Sequence, residues 1–109
     1  MDVVTGISGS SPAYVYLYIE GLVRAGMEGG LSGEAATILA AQSTLGAAKM
    51  VLENLGTVEP RQLCENVCSP GGTTIEAVNL LEAADFVETV SKAAQASAAK
   101  SKQMTRMVI

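Results

Sequence analysis

The sequence has 109 residues, enough for one domain with a modest core, and carries a net charge of −4 with no histidine. Its seven Lys and Arg are scattered apart from Lys100, Lys102 and Arg106, which argues against nucleic acid as the main partner, and the lack of histidine excludes Ser-His-Asp and Cys-His hydrolysis. Hydrophobic residues make up 49% of the chain and aromatics only 4%, so small aliphatic side chains must build the interior, and so short and apolar a chain is expected to associate with copies of itself.

The opening "MDVVTGISGSS" is small and turn-prone and ends in a cap signal, Ser11 as N-cap with Pro12 at the first helical position. The run "AYVYLYI" that follows alternates like a buried strand. Continued through "EGLVRAGMEGG" to Gly29 and Gly30, it has the length of a helix buried on most sides, and a helix is the prediction. Tyr14, Tyr16 and Tyr18 cannot share one face of such a helix; at least one is expected against a partner chain or a ligand cleft, although core packing is the commoner fate.

Ser32 reads as the next N-cap, with Glu34 in the first turn. Ile38, Ala41, Leu45, Ala48 and Leu52 then recur at spacings of three and four, predicting the inner face of a helix that runs to about Asn54 and ends at Gly56. The stretch "AATILAAQSTLGAA" reads as too short and too polar to span a bilayer, and no signal peptide is evident, so a cytoplasmic location is expected. Lys49 is expected to snorkel to solvent rather than lie buried.

Pro60 opens a shorter helix carrying Leu63 and Val67, which the Ser69-Pro70 step stops. Cys64 and Cys68 lie four apart on it and read as reduced thiols, since neither histidine nor a second cysteine pair completes a metal site. Thr73 and Glu76 fit a capping box for a helix whose inner stripe is Ile75, Val78, Leu81 and Ala84. Asp85 and Glu88 repeat the signature before Phe86, Val87, Val90, Ala93, Ala94 and Ser97 on a final helix. The prediction is an all-α domain of five helices over residues 1–109, with no convincing strand.

"SPGGTTIEAV" is the strongest functional candidate on physical grounds. Glycines before a helix let a ligand approach the backbone, and the first helical N–H groups, at the positive end of the dipole, suit a carboxylate or phosphate. If Thr73 spends its hydroxyl on capping, Thr74 keeps a free one. The competing interpretation is that Pro-Gly-Gly only makes a tight reversal between helices, and spacing alone leaves both open. "GISGSSP" lacks the strand–GxGxxG–helix setting of a dinucleotide site and the lysine of a P-loop, and reads as a helix entrance.

Taken together, "TGISGSSPAYVYLYIEGLVRAGMEGGL", "AAQSTLGAAKMVLE", "VCSPGGTTIEAV" and "LLEAADF" resemble successive blocks of the C-terminal domain of pyrroline-5-carboxylate reductase, over residues 2–103. The resemblance implies an interwoven, domain-swapped-like homodimer. It also implies a substrate-binding loop of Ser69, Gly72, Thr73 and Thr74 that receives the carboxylate of 1-pyrroline-5-carboxylate or L-proline at the dimer interface, with Thr74 near the ring nitrogen. NADPH or NADH would be held by a Rossmann domain that this sequence does not contain, so the chain alone is expected to be inactive. No catalytic residue, cofactor contact or metal ligand is assigned within it, and neither nucleic acid nor membrane is expected as a partner. Two positions depart from the family pattern: Ser11 stands where a glycine is usual, adding a cap hydroxyl, and Ala84-Asp85 replaces Gly-Gly, which puts that turn in doubt. The alternatives are a non-enzymatic helical dimerisation or scaffold module and another imine or β-hydroxyacid reductase with a similar tail.

Overall fold

The computed structural model describes residues 1–108, with side chains through Arg106, and every regular element among them is helical. The chain forms two compact units, residues 1–18 together with the segment from Glu82 onward, and residues 19–81.

The first unit contains α1 (Asp2–Val4), a π-helical turn (Thr5–Gly9), the start of α2 (Ser11–Glu28) and α6 (Phe86–Val108). The opening segment is therefore helical and not turn-like, and its small residues have a packing reason. Gly6 is buried, and a Cβ there would collide with the carbonyl oxygen of Ala94 and lie 3.2 Å from its carbon. Only a glycine lets this turn rest on the α6 backbone. Side-chain hydrogen bonds fix the register: Ser97 donates to Ser10 Oγ at 2.8 Å, Ser101 to Asp2 Oδ1 at 2.9 Å, and Tyr14 to the Gly6 carbonyl at 3.0 Å. Ser10 keeps helical dihedrals between the π turn and α2, φ −93° and ψ −22°, and that helix starts at Ser11, one residue earlier than predicted. Ser11 does not cap it; its hydroxyl donates to the Ser8 carbonyl at 3.4 Å.

Ala84 and Asp85 alone join α5 to α6. Asp85 has φ 55°, its N–H donates to the Glu82 carbonyl at 3.0 Å and its carbonyl accepts from Thr89 at 2.9 Å. One residue thus ends one helix and begins the next in the left-handed region, where glycine is easiest and Asp is among the tolerated residues. The predicted Asp85–Glu88 capping box is corrected accordingly, since an N-cap that uses its side chain normally takes the extended conformation. On α6, Ala94, Ser97 and Ala98 are half-buried, whereas Phe86, Val87 and Val90 are exposed.

The second unit holds the rest of α2, α3 (Gly33–Glu53), α4 (Pro60–Val67) and most of α5 (Thr73–Ala83). The α2 C-terminus is a Schellman motif: Gly30 at φ 104° donates to the Met27 carbonyl at 3.1 Å and Leu31 to the Gly26 carbonyl at 2.9 Å. Ser32 caps α3 as predicted, accepting from the Ala35 N–H at 3.1 Å. A Cβ on Gly26 would approach Ala36 Cβ to 2.8 Å, so α2 and α3 meet through small residues, with Ala36 and Ala40 only 4% and 5% exposed. Lys49 reaches solvent and faces Glu53 at 3.8 Å, as expected for a snorkelling stem.

Three expectations for these helices change. The α3 face toward α2 is Ala36 and Ala40, and the predicted inner stripe points away from it: Ile38, Leu45 and Leu52 are 59%, 63% and 66% exposed. Alanines allow close helix approach, and the leucines are left on the outside. Nor is α2 buried on most sides; Tyr14 is half-buried while Tyr16 and Tyr18 are exposed. Finally, α3 has 21 residues and by length and composition is apolar enough to cross a membrane, so the bilayer argument from length fails.

Candidate anion-binding loop before the fifth helix

The chain enters the loop from Cys68, the C-cap of α4, with φ −90° and ψ 117°, the extended conformation that a following Ser69-Pro70 step continues. The Ser69 carbonyl accepts the Gly72 N–H at 2.9 Å, closing a four-residue turn with Pro70 second and Gly71, at φ 72°, third. That is a type II turn, in which proline presets the first corner and glycine supplies the positive φ of the second. The left-handed position in this loop is Gly71. At Gly72 the constraint is space, since a Cβ would sit 3.1 Å from the Ser69 carbonyl oxygen.

α5 begins at Thr73, directly after this turn. The predicted Thr73–Glu76 capping box does not form: Thr73 is already helical, and among the described residues neither its hydroxyl nor the Glu76 carboxylate makes a hydrogen bond. Consequently the hydroxyls of Ser69, Thr73 and Thr74 are all unspent among the described residues. The N–H groups of Thr73, Thr74 and Ile75 likewise find no acceptor among the described residues, as the first turn of a helix dictates. Gly72 differs, because its N–H is already used by Ser69. Ser69 and Thr73 are exposed, whereas Gly72 and Thr74 are half-buried. The four nominated residues therefore lie together at one helix N-terminus, offering two free amides from Thr73 and Thr74, a third from Ile75, and three hydroxyls. Sequence reasoning missed Ile75, whose donor follows from its place in the first turn.

Cys64 and Cys68 are reduced and half-buried. Loss of solvent pushes the Cys68 thiol above its ordinary value, and the neighbouring Cys64 adds to the shift. Among the described residues no three His, Cys, Asp or Glu are placed to hold a metal ion. The block "GISGSSP" borders a separate cavity of about 660 Å³ in the first unit, lined by Thr5, Ser10, Ser97, Lys100, Ser101 and Thr105. Its hydroxyls are engaged internally, Thr5 on the Met1 carbonyl at 3.3 Å and Thr105 on the Ser101 carbonyl at 3.1 Å, with Ser10, Ser97 and Ser101 paired as above.

The family described as pyrroline-5-carboxylate reductase dimerisation matches residues 1–104. Pyrroline-5-carboxylate reductase 2 of Bos taurus is 42% identical over 107 residues, covering 98% of this chain and 33% of that protein. The Escherichia coli (strain K12) enzyme is 46% identical over 103 residues, covering 94% and 38%. Among solved structures, the Plasmodium falciparum pyrroline carboxylate reductase with NADP bound has a TM-score of 0.87 at 43% identity, covering 95% of this chain and 39% of that one. The Coxiella burnetii enzyme gives 0.86 at 39% identity, covering 94% and 37%. The chain thus spans about a third of the length of the curated relatives it matches. The block "GISGSSP" does not have the Rossmann setting, which needs a strand leading into a glycine-rich turn: it follows a helix and winds through a π turn into another. The chain belongs to the pyrroline-5-carboxylate reductase dimerisation family and corresponds to the all-helical C-terminal domain of those enzymes.

Proposed function

We propose that this chain is the dimerisation and substrate-carboxylate-binding half of a pyrroline-5-carboxylate reductase, acting in the cytoplasm as a homodimer whose chains interweave. The observation that carries the site is the set of unspent donors behind the 69–72 turn: free N–H groups on Thr73, Thr74 and Ile75 beside the hydroxyls of Ser69, Thr73 and Thr74. A carboxylate takes two such amides on its oxygens, and the helix end adds a positive charge of about half a unit. The ring of 1-pyrroline-5-carboxylate then lies over Thr74, whose hydroxyl can meet the ring nitrogen. Gly72 contributes a tight turn and no donor, its N–H being held by Ser69.

These groups bind and orient; none is placed to move a proton, and the hydride belongs to a nicotinamide cofactor bound by another domain. A net charge of −4 supports the reading without nucleic acid. Self-association is supported by how few apolar side chains are buried among the described residues, Ala36 and Ala40. The occupied Gly72 amide favours one rival, a scaffold in which the loop is only a reversal.

L-proline titrated against the labelled chain separates the two. The reductase reading predicts saturable shifts of the 69–76 amides, Thr73 and Thr74 most strongly. Its companion is Thr74→Ala in the full-length enzyme, where losing one hydroxyl contact should reduce kcat/KM by about 3- to 10-fold at unchanged stability. Full activity in that variant together with silent amides leaves the scaffold.

A further inference from the structure

α4 ends on two thiols. Cys64 and Cys68 are both half-buried and reduced, and their side chains meet in a hydrogen bond. The candidate loop uses neither, and among the described residues no third ligand joins them to hold a metal ion. Along an intact helical turn, residues four apart keep their Cβ atoms about 5–6 Å from each other, and a disulfide needs about 3.5–4.5 Å. Closure therefore requires Cys68 to move by about 1–2 Å. It is placed to do so. Cys64 lies inside α4, whereas Cys68 is the C-cap, already extended at φ −90° and ψ 117°, with its N–H on the Glu65 carbonyl at 3.0 Å. Loss of solvent, and then Cys64, hold the Cys68 thiol above its ordinary value, which makes it a slow leaving group once a disulfide has formed.

The chain beyond Cys68 carries the movement onward. Pro70 keeps Ser69 out of the helical region, so Ser69 cannot absorb the shift by extending α4. The displacement passes into the turn that the Ser69 carbonyl closes with the Gly72 N–H at 2.9 Å.

We propose that Cys64 and Cys68 form a thiol–disulfide switch whose closure unseats the 69–72 turn. The oxidant is a low-molecular-weight disulfide. One cysteine thiolate attacks it, forming a mixed disulfide and releasing one small thiol. The second cysteine thiolate attacks the cysteine sulfur of that mixed disulfide, and a second small thiol leaves. Two electrons pass to the small disulfide, and the two cysteine protons end on the released thiols. The switch concerns the turn itself and holds whether or not the loop takes a carboxylate.

Equilibrating the labelled chain with graded ratios of oxidised to reduced glutathione tests it. The denatured mass should become that of one chain less two hydrogens, with no glutathione retained, and excess reduced glutathione should restore the starting mass. In the closed form, hydrogen exchange of the Gly72 amide, read by NMR, should quicken about 10-fold or more. Cys68→Ser leaves one thiol inside α4 and cannot close, so its Gly72 exchange should stay within about 2-fold of the reduced chain at every ratio. A lasting glutathione adduct, a bond between two chains, or thiols still free at the highest ratio would overturn the switch. Closure with Gly72 exchange unchanged, or equal quickening in oxidised Cys68→Ser, would overturn its link to the turn.

Discussion

Replacing Gly71 and Gly72 one at a time separates backbone conformation from space in the candidate loop. At φ 72°, alanine in place of Gly71 meets the left-handed penalty of about 1–2 kcal/mol. The stiffer unfolded chain of the alanine variant returns about 0.4–1 kcal/mol of that, leaving a net loss near 1 kcal/mol. For a domain of this size 1 kcal/mol lowers Tm by about 4–8 °C. At Gly72 the added Cβ lies 3.1 Å from the Ser69 carbonyl oxygen and 3.4 Å from its Cβ, contacts that a shift of a few tenths of an ångström relieves. The same unfolded-state effect offsets that adjustment, so Gly72→Ala should stay within about 0.5 kcal/mol of the parent. Thermal melts followed by circular dichroism, all at one protein concentration because a dimer's Tm depends on it, give the comparison. A Gly72→Ala loss equal to or larger than that of Gly71→Ala would refute the type II assignment.

Elsewhere, Gly6→Val drives a branched side chain into the Ala94 carbonyl and should destabilise the first unit by about 2–3 kcal/mol in the same melts; neutrality would mean that the opening turn does not rest on α6. Asp85→Gly removes the left-handed strain at φ 55° against some loss of chain stiffness and of an acid at a helix start, for a net gain of about 0.5 kcal/mol. A loss above about 1 kcal/mol would show that the Asp85 side chain contributes more than its backbone costs. Mixed with NADPH and the cyclic imine, the isolated chain should leave the NADPH absorbance unchanged; steady consumption would contradict the assignment of hydride transfer to another domain.

The five long helices were legible because their ends are chemical: Ser32 caps, Gly30 turns left-handed, Pro60 opens α4 and Ser69-Pro70 closes it. What local pattern could not give was direction. The stripe on α3 has the right period for an inner face, but a period says only that something covers it, and the alanines turned out to face α2. The helical opening was hidden for a related reason: "GISGSS" has the composition of a turn, and only the distant Ala94 backbone explains why Gly6 must be small. In the loop, glycine content identified the place and the capping motif misled. Thr73 entered the helix instead of capping it, and the positive φ fell on Gly71, the third residue of a turn whose second is proline. The resemblance marked Ala84-Asp85 as a departure, and the left-handed Asp85 shows why glycine is usual there.

Mass in solution bears most directly on the account, because among the described residues the only buried apolar side chains are Ala36 and Ala40, and the proposed dimer is what would cover the rest. Light scattering coupled to gel filtration at micromolar concentration should return twice the mass of one chain, with helix content matching the structure. A chain that is fully helical and cooperatively folded at the mass of one copy would contradict it.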